Sequence, residues 1–149
     1  MKLKNKRKNN LADRDDKTKH ENTDLNYILL AANSADEKKG ENILVLDVSR
    51  LTVIADYFLI VSAKSTPQII AMANYIEEKL SDAKYKLVSK EGFPDSSWTI
   101  LDYGNFIVHI MHEKERAYYK LEKFWSNATV IDNEQWKKRE KWENLKKAS

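Results

Sequence analysis

Two short apolar runs near the middle of the chain constrain its fold more than any other feature. Residues 43–48 and 57–61 are dominated by β-branched and large apolar side chains, a pattern typical of strands covered on both faces. Residues 49–56 are too few for the crossover helix that parallel neighbours require. We therefore expect the two strands to be antiparallel neighbours.

Helical patterns flank this pair of strands. An apolar stripe with a period of three to four residues predicts a helix over 24–38. Further along, Ser65 and Gln68 have the spacing of a capping box, and Pro67 suits the first turn, where its missing N–H costs nothing. The apolar stripe that follows predicts a second helix that continues to about Ala83.

The second half of the chain contains a predicted hairpin. Residues 98–103 and 106–111 are strand-like, and Gly104-Asn105 between them suits a tight turn whose central residues take positive φ. A helical pattern then covers 113–126.

The order of these elements predicts the fold class. With a short strand near 87–88, the chain runs helix, two strands, helix, two or three strands, helix. This order indicates an α/β (α+β) protein with a mixed β-sheet flanked by helices.

Basic residues are concentrated at the beginning of the chain. Residues 1–20 hold eight Lys or Arg against three Asp, although the whole chain has a net charge of only +3. Such a segment is either a solvated leader without a role or a weak, salt-sensitive contact to RNA phosphates. We divide the chain into a disordered basic arm (1–22), a folded domain (23–128) and a charged helical extension (129–149).

Composition excludes several classes of protein. The chain has no Cys, which removes disulfides and thiolate zinc sites and suits a reducing compartment. Its longest uncharged apolar run, 57–63, is far shorter than the roughly 20 residues that cross a bilayer. Residues 1–20 do not have the pattern of a signal peptide. We expect a soluble, cytoplasmic protein without membrane contact.

Catalytic motifs are absent from the sequence. Glycine occurs only at positions 40, 92 and 104, which allows no phosphate-binding loop. His109 and His112 are an odd number of residues apart in a strand, so their side chains should leave opposite faces and share no metal. We expect no catalytic residue, no metal and no cofactor.

Aromatic and acidic side chains around the hairpin form the candidate site. Strand alternation places Trp98 and Asp102 on one face and Tyr103 on the other. An aromatic ring beside a carboxylate is typical of a binding hot spot. The alternatives are that Trp98 belongs to the core, that Asp102 bonds the turn backbone, and that His109 is simply packed rather than a polar contact.

Three segments resemble the Iojap-like family of ribosomal silencing factors. Residues 55–62 read ADYFLIVS, Glu91-Gly92 precedes WTILDYGNFIVHIM at 98–111, and residues 116–125 read RAYYKLEKFW. The motifs occur in order and with the right spacing over about 24–126, so the arm and the extension lie outside the resemblance.

The resemblance implies a fold related to nucleotidyltransferases, without their catalytic residues. No Asp-x-Asp metal pair follows the strand that ends near Ser62. It further implies binding to the large ribosomal subunit through a ribosomal protein of the L-fourteen type. The small subunit then cannot join, and translation is repressed when nutrients are limiting. The family is also associated with homodimers in the free state.

Carried over motif by motif, the expected partner-binding residues are Trp98, Asp102, Tyr103 and His109. Trp98 would be a buried anchor and Asp102 would face basic side chains. Arg116 and Tyr119 could instead pack the last helix onto the sheet. Two other functions stay open: an enzyme of nucleotidyltransferase type with a relocated metal site, and a dimeric adaptor without a ribosomal role.

Overall fold

The computed structural model describes residues 14–92 and 97–131. Along these residues the chain forms four helices and six strands. Their bounds are Arg14–Glu37 (α1), Glu41–Asp47 (β1), Tyr57–Ala63 (β2), Thr66–Asp82 (α2), Ser89–Glu91 (β3), Trp98–Asp102 (β4), Phe106–His112 (β5), Glu113–Tyr119 (α3), Leu121–Phe124 (α4) and Thr129–Ile131 (β6). Up to α3 their order is the one that the sequence predicts.

The strands form one mixed sheet with the order β3-β4-β5-β2-β1-β6. β1 and β2 are antiparallel, with Asp47 opposite Tyr57, as the short connection between them predicts. β2 and β5 are parallel, with Tyr57 opposite Phe106. All other pairs are antiparallel. The prediction of a mixed sheet flanked by helices is confirmed.

The main core lies between the sheet and the two long helices, α1 and α2. Alternate side chains of β2, β4 and β5 reach it, because successive strand residues leave opposite faces. Its largest fully buried members are Ile28, Leu29, Leu30, Leu59, Ile69, Met72, Ile76, Leu80, Leu101, Phe106 and Ile110. Each such side chain contributes roughly 1.5–3 kcal/mol of hydrophobic stabilisation, so this face dominates the stability of the fold.

The opposite face of the sheet carries a smaller apolar cluster. Its buried members are Leu46, Val48, Ala55, Phe58, Ile60 and Met111. Leu121 and Trp125, from the short segment that contains α3 and α4, pack against them. Every residue of β2 is buried, because this central strand is covered on both faces, as its uninterrupted apolar sequence indicates.

The predicted start of α2 is confirmed and has an additional function. The Ser65 side chain accepts a hydrogen bond of 3.2 Å from the Gln68 N–H. The Gln68 side chain in turn accepts from the Lys64 N–H at 2.8 Å and donates to the carbonyls of Lys38 and Lys39, each at 3.2 Å. One side chain therefore connects the beginning of α2 to the end of α1.

The helices differ from their predicted bounds at both ends of the domain. α1 begins at Arg14 rather than at Asp24, so helical backbone extends into the segment that was expected to be a disordered arm. The helix predicted over 113–126 is two short helices, because Lys120 between them takes a left-handed conformation with φ of 50°. None of the described helices is both long and apolar enough to cross a membrane.

Three strand predictions also need correction. The short strand expected near 87–88 lies at Ser89–Glu91. Residues 129–131, assigned to a helical extension, instead form β6, which pairs with β1 at the sheet edge. At the hairpin only Gly104 takes positive φ, at 86°, which is the requirement of a type II′ turn. Most of the expected arm and extension, 1–13 and 132–149, lies outside the described residues.

Candidate functional site

Trp98 and His109 are joined across two neighbouring strands. In the register of β4 and β5, Ile100 lies opposite His109 and Trp98 lies opposite Met111, so Trp98 and His109 are diagonal neighbours on one face. The Trp98 indole Nε1–H donates a hydrogen bond of 3.1 Å to His109 Nδ1. Because Nδ1 accepts, the imidazole must be neutral and carry its proton on Nε2.

Burial keeps this imidazole neutral. His109 is only 8% exposed, and desolvation lowers the pKa of His109 to about 4, since burial disfavours the charged imidazolium. Near pH 7 the Nδ1 lone pair therefore stays available to the indole. The structure places His109 as a packed histidine that positions Trp98.

Aromatic rings continue from this pair in both directions. Phe58 meets His109 edge to face, with centroids 5.4 Å apart, and Trp125 meets Phe58 in the same way at 5.0 Å. On the other side, the Tyr119 ring lies 5.3 Å from that of Trp98. We call these five side chains the ring row. Each contact of this kind adds about 0.5–1.5 kcal/mol beyond area burial, so the row holds Trp98 in one orientation.

Asp102 lies at the end of the strand that begins with Trp98, on the same face. Its Oδ1 accepts a hydrogen bond of 2.7 Å from the Gly104 N–H, so the carboxylate stabilises the turn. The side chain is half-buried, and no cation among the described residues forms a salt bridge with it. An anchored carboxylate without a counter-ion is complementary to a basic surface.

Tyr103 lies on the other face of the sheet, away from Trp98. It is 4% exposed and stacks on Phe106 with centroids 5.0 Å apart. Its hydroxyl is buried with no hydrogen-bond partner among the described residues, and desolvation raises the pKa of this phenol. Its burial removes Tyr103 from the candidate contact residues, because a partner cannot reach a side chain that is enclosed in the core.

Arg116 attaches the segment that covers the ring row to the sheet. Its buried Nη1 donates to Ser62 Oγ at 3.0 Å and to the Asn42 carbonyl, and its Nε pairs with Glu122 at 3.1 Å. One guanidinium thus connects α3 and α4 to β1 and β2, because its five N–H donors point in several fixed directions from one planar group. Of the two roles that the sequence left open for Arg116, the structure shows the packing role.

Sequence reasoning missed Phe58 and Trp125 as members of the site. Phe58 belongs to an uninterrupted apolar run, in which no polar residue distinguishes one face of the strand from the other. The signal that identifies it is the pairing of Phe58 with Ile107 in β5, which is a long-range contact.

The second histidine of β5 has different neighbours. His112 Nδ1 accepts from the Lys114 N–H at 3.1 Å and caps α3, while its Nε2 lies 3.0 Å from the Lys64 carbonyl oxygen. The two histidines therefore serve separate contacts. Within 14–92 and 97–131, no three His, Asp or Glu side chains come together in a way that could hold a metal ion.

This geometry defines the class of protein. A rigid row of rings beside a carboxylate that has no counter-ion among the described residues, on a sheet whose other face is closed by helices, is suited to recognising a partner surface. By its fold the chain is an α/β protein with one mixed sheet, and this side of the sheet carries its candidate contact surface.

Comparisons with known proteins identify the family. A family profile described as "Ribosomal silencing factor during starvation" matches residues 19–149. The chain is 38% identical over 103 residues to the ribosomal silencing factor RsfS of Bacillus subtilis, which covers 69% of this chain and 87% of that protein. It is 35% identical over 108 residues to the chloroplastic Iojap protein of Zea mays, covering 72% of this chain and 47% of that longer protein.

Solved structures agree with this assignment. A crystal structure from Chromobacterium violaceum superposes with a TM-score of 0.65 at 32% identity and covers 67% of this chain and 83% of that one. A second, from Bacillus halodurans, has a TM-score of 0.62 at 31% identity and covers 70% and 95%. The chain belongs to the ribosomal silencing factor family. The family match reaches the end of the chain, so the resemblance extends beyond the limits of about 24–126 that the motifs indicated.

Proposed function

We propose that this protein binds the large ribosomal subunit through a ribosomal protein of the L-fourteen type and prevents the small subunit from joining. Translation in the cytoplasm is thereby repressed when nutrients are limiting. Obstruction requires occupancy and no turnover, and a contact of about 800 Å² on each partner is enough for a specific complex. The observation that carries the proposal is the ring row, found in a member of the ribosomal silencing factor family.

Trp98 is the proposed anchor of the contact. Its indole is half-buried and held by His109 and Tyr119, so little side-chain freedom is lost on binding. Interface hot spots are enriched in Trp and cluster in well-packed surroundings of this kind.

Asp102 is the proposed electrostatic contact. Its Oδ1 is bound to the turn, which leaves the other carboxylate oxygen available for a basic side chain of the ribosomal protein. Because the chain beyond the basic arm is slightly acidic, longer-range attraction to a basic ribosomal surface acts in the same direction and weakens with salt.

Cosedimentation with purified large subunits, followed by a subunit-joining assay, tests the proposal. Trp98→Ala should weaken binding by about thirtyfold, which corresponds to the roughly 2 kcal/mol of a hot spot. Trp98→Phe keeps a ring, so its affinity should lie between those of the parent chain and Trp98→Ala. Ile70→Ala is the matched control, since Ile70 is an exposed apolar residue on α2, across the sheet from the ring row.

The charge of Asp102 is tested separately. Asp102→Asn keeps an acceptor for the Gly104 N–H and removes only the charge, whereas Asp102→Lys also reverses it. We expect progressively weaker binding in that order. Joining that proceeds at its normal rate with saturating protein would refute obstruction, and binding that all Trp98 and Asp102 variants retain would refute the assigned contact.

Two further interactions are part of the proposal. The basic arm would add a weak contact to ribosomal RNA, so deletion of residues 1–13 should reduce the salt sensitivity of subunit binding. The free protein would be a homodimer, as the family resemblance implies, which sedimentation equilibrium measures directly. The deletion leaves the described helix α1 intact.

A further inference from the structure

The segment that covers the ring row carries three mostly exposed rings. Tyr118, Tyr119 and Phe124 are 78%, 53% and 83% exposed. Tyr118 lies 5.0 Å from Tyr119, and Phe124 lies 6.2 Å from Trp125, measured between ring centroids. Tyr118 therefore extends the ring row into solvent at its Tyr119 end, and Phe124 does so at its Trp125 end. Grouped exposed aromatic side chains mark an interaction surface.

Lysines accompany these rings. Lys114, Lys120 and Lys123 are exposed, and none of them takes part in a salt bridge within the described part of the chain. Lys114 precedes Tyr118 by one helical turn and shares its side of α3. The carboxylate of Glu122 is already paired with Arg116. On this segment, three ammonium groups without a salt bridge to any described residue therefore outnumber the two remaining carboxylates, those of Glu113 and Glu115.

The combination of rings and lysines distinguishes between kinds of partner. Lysine is depleted at protein–protein interfaces, although aromatic residues are enriched there. Sites for unpaired nucleic acid combine both: bases stack on aromatic rings while cations follow the phosphates.

We propose that Tyr118, Tyr119 and Phe124, together with the three lysines, form a stacking surface for unpaired RNA bases. This inference deepens the proposed function and rests on it, because it assigns to this surface an unpaired segment of ribosomal RNA beside the protein contact at Trp98.

The surface is organised before it binds. Arg116 holds the segment against the sheet through Ser62 and Asn42, and its ion pair with Glu122 fixes α4 relative to α3. The Lys120 N–H donates to the Arg116 carbonyl at 3.0 Å and closes α3 at the point where the chain turns. Rings presented on a fixed backbone lose little conformational freedom when a base stacks on them.

A binding assay with two oligonucleotides tests the proposal. The full chain is titrated into a fluorescently labelled twelve-nucleotide uridine RNA and, in parallel, into an abasic strand of equal length, and anisotropy is recorded. Residues 1–22 contain no Phe, Trp or Tyr, so the basic arm can bind phosphates but offers no such ring on which a base could stack. We expect the RNA with bases to bind at least about tenfold more tightly than the abasic strand.

Variants assign that difference to the surface. Tyr118→Ala combined with Phe124→Ala should reduce the preference for the RNA with bases over the abasic strand to less than about threefold. Tyr118→Phe keeps the ring and should preserve this preference. Since both side chains are mostly exposed, circular dichroism should show an unchanged fold. Lys114→Gln combined with Lys123→Gln should lower the slope of log affinity against log salt by about 1 to 2 for both strands.

Three results would overturn the inference. The first is equal affinity for the two strands, and the second is an unchanged preference for the RNA with bases in the double alanine variant. The third is that this variant binds RNA normally but loses affinity for the isolated ribosomal protein of the L-fourteen type. The last result would assign the surface to a protein. The assay contains no ribosome, so its failure would leave subunit docking through Trp98 standing, and failure of the Trp98 variants would leave RNA stacking measurable.

Discussion

Two tyrosines that contact each other, one buried in the core and one partly buried against it, should respond in opposite ways to the same substitution. The rings of Tyr85 and Tyr103 lie 6.0 Å apart, between the sheet and the helices. The Tyr103 hydroxyl has no partner within the described residues, whereas the Tyr85 hydroxyl donates a 2.7 Å hydrogen bond to Asp24, a buried carboxylate on α1. Replacing each tyrosine by phenylalanine removes one oxygen atom and changes little else.

The expected magnitudes follow from hydrogen bonding. A buried polar group without a partner costs roughly 1–3 kcal/mol, so Tyr103→Phe should raise the free energy of unfolding by about 1–2 kcal/mol. A hydrogen bond to a charged acceptor contributes about 1.5–3 kcal/mol, so Tyr85→Phe should lower it by about 2 kcal/mol. In a domain of this size each kcal/mol corresponds to about 4 °C in Tm.

Urea denaturation followed by tryptophan fluorescence, with thermal melting by circular dichroism, measures both variants against the parent chain. Equal slopes in urea are required, because a changed slope would mean that the denatured state has changed. If Tyr103→Phe is as destabilising as Tyr85→Phe, the Tyr103 hydroxyl has a partner, such as a buried water, and the reasoning is refuted.

Three other changes test the fold and the ring row. The imidazole of His109 binds a proton below about pH 6.5 in the unfolded chain, but only near its pKa of about 4 in the folded protein. Acidification through this window should therefore lower the free energy of unfolding by up to about 3 kcal/mol. Urea titrations at several pH values measure this loss, which should be smaller in His109→Gln. Arg116→Ala should lower the free energy of unfolding by about 2–3 kcal/mol, and Ser62→Ala should lower it by about 1 kcal/mol. Trypsin should cleave faster after Lys120 in the Arg116 variant alone. Gln68→Ala should lower the free energy of unfolding by about 1–2 kcal/mol. Gln68→Glu keeps the acceptor for the Lys64 N–H but loses the donors to the Lys38 and Lys39 carbonyls, so thermal melts should show that it recovers part of this loss.

Local rules account for the parts of the fold that were predicted correctly. The cap at Ser65 follows from short-range spacing, and the antiparallel pairing of β1 and β2 follows from the length of the chain between them. Strand alternation likewise assigns Trp98 and Tyr103 to opposite faces of the sheet. These inferences hold because each depends on neighbours within a few residues along the chain.

Alternation could not decide which of those faces would be enclosed. α1 and α2 both pack on the Tyr103 face, and the parallel pairing of β2 with β5 brings Phe58 beneath His109, a contact between residues about fifty positions apart. The left-handed turn at Lys120 and the edge strand β6 depend in the same way on where Arg116 and β1 lie.

The sequence by itself therefore determined the order of the elements up to α3, the cap at Ser65 and the two faces of β4, since these arise from short-range sterics and hydrogen bonding. Only the tertiary structure decided that Tyr103 is enclosed and Trp98 partly open, and that His109 serves Trp98. Those outcomes depend on packing between distant segments, where the free energy of burying one face over the other is set by the whole assembly of helices and sheet.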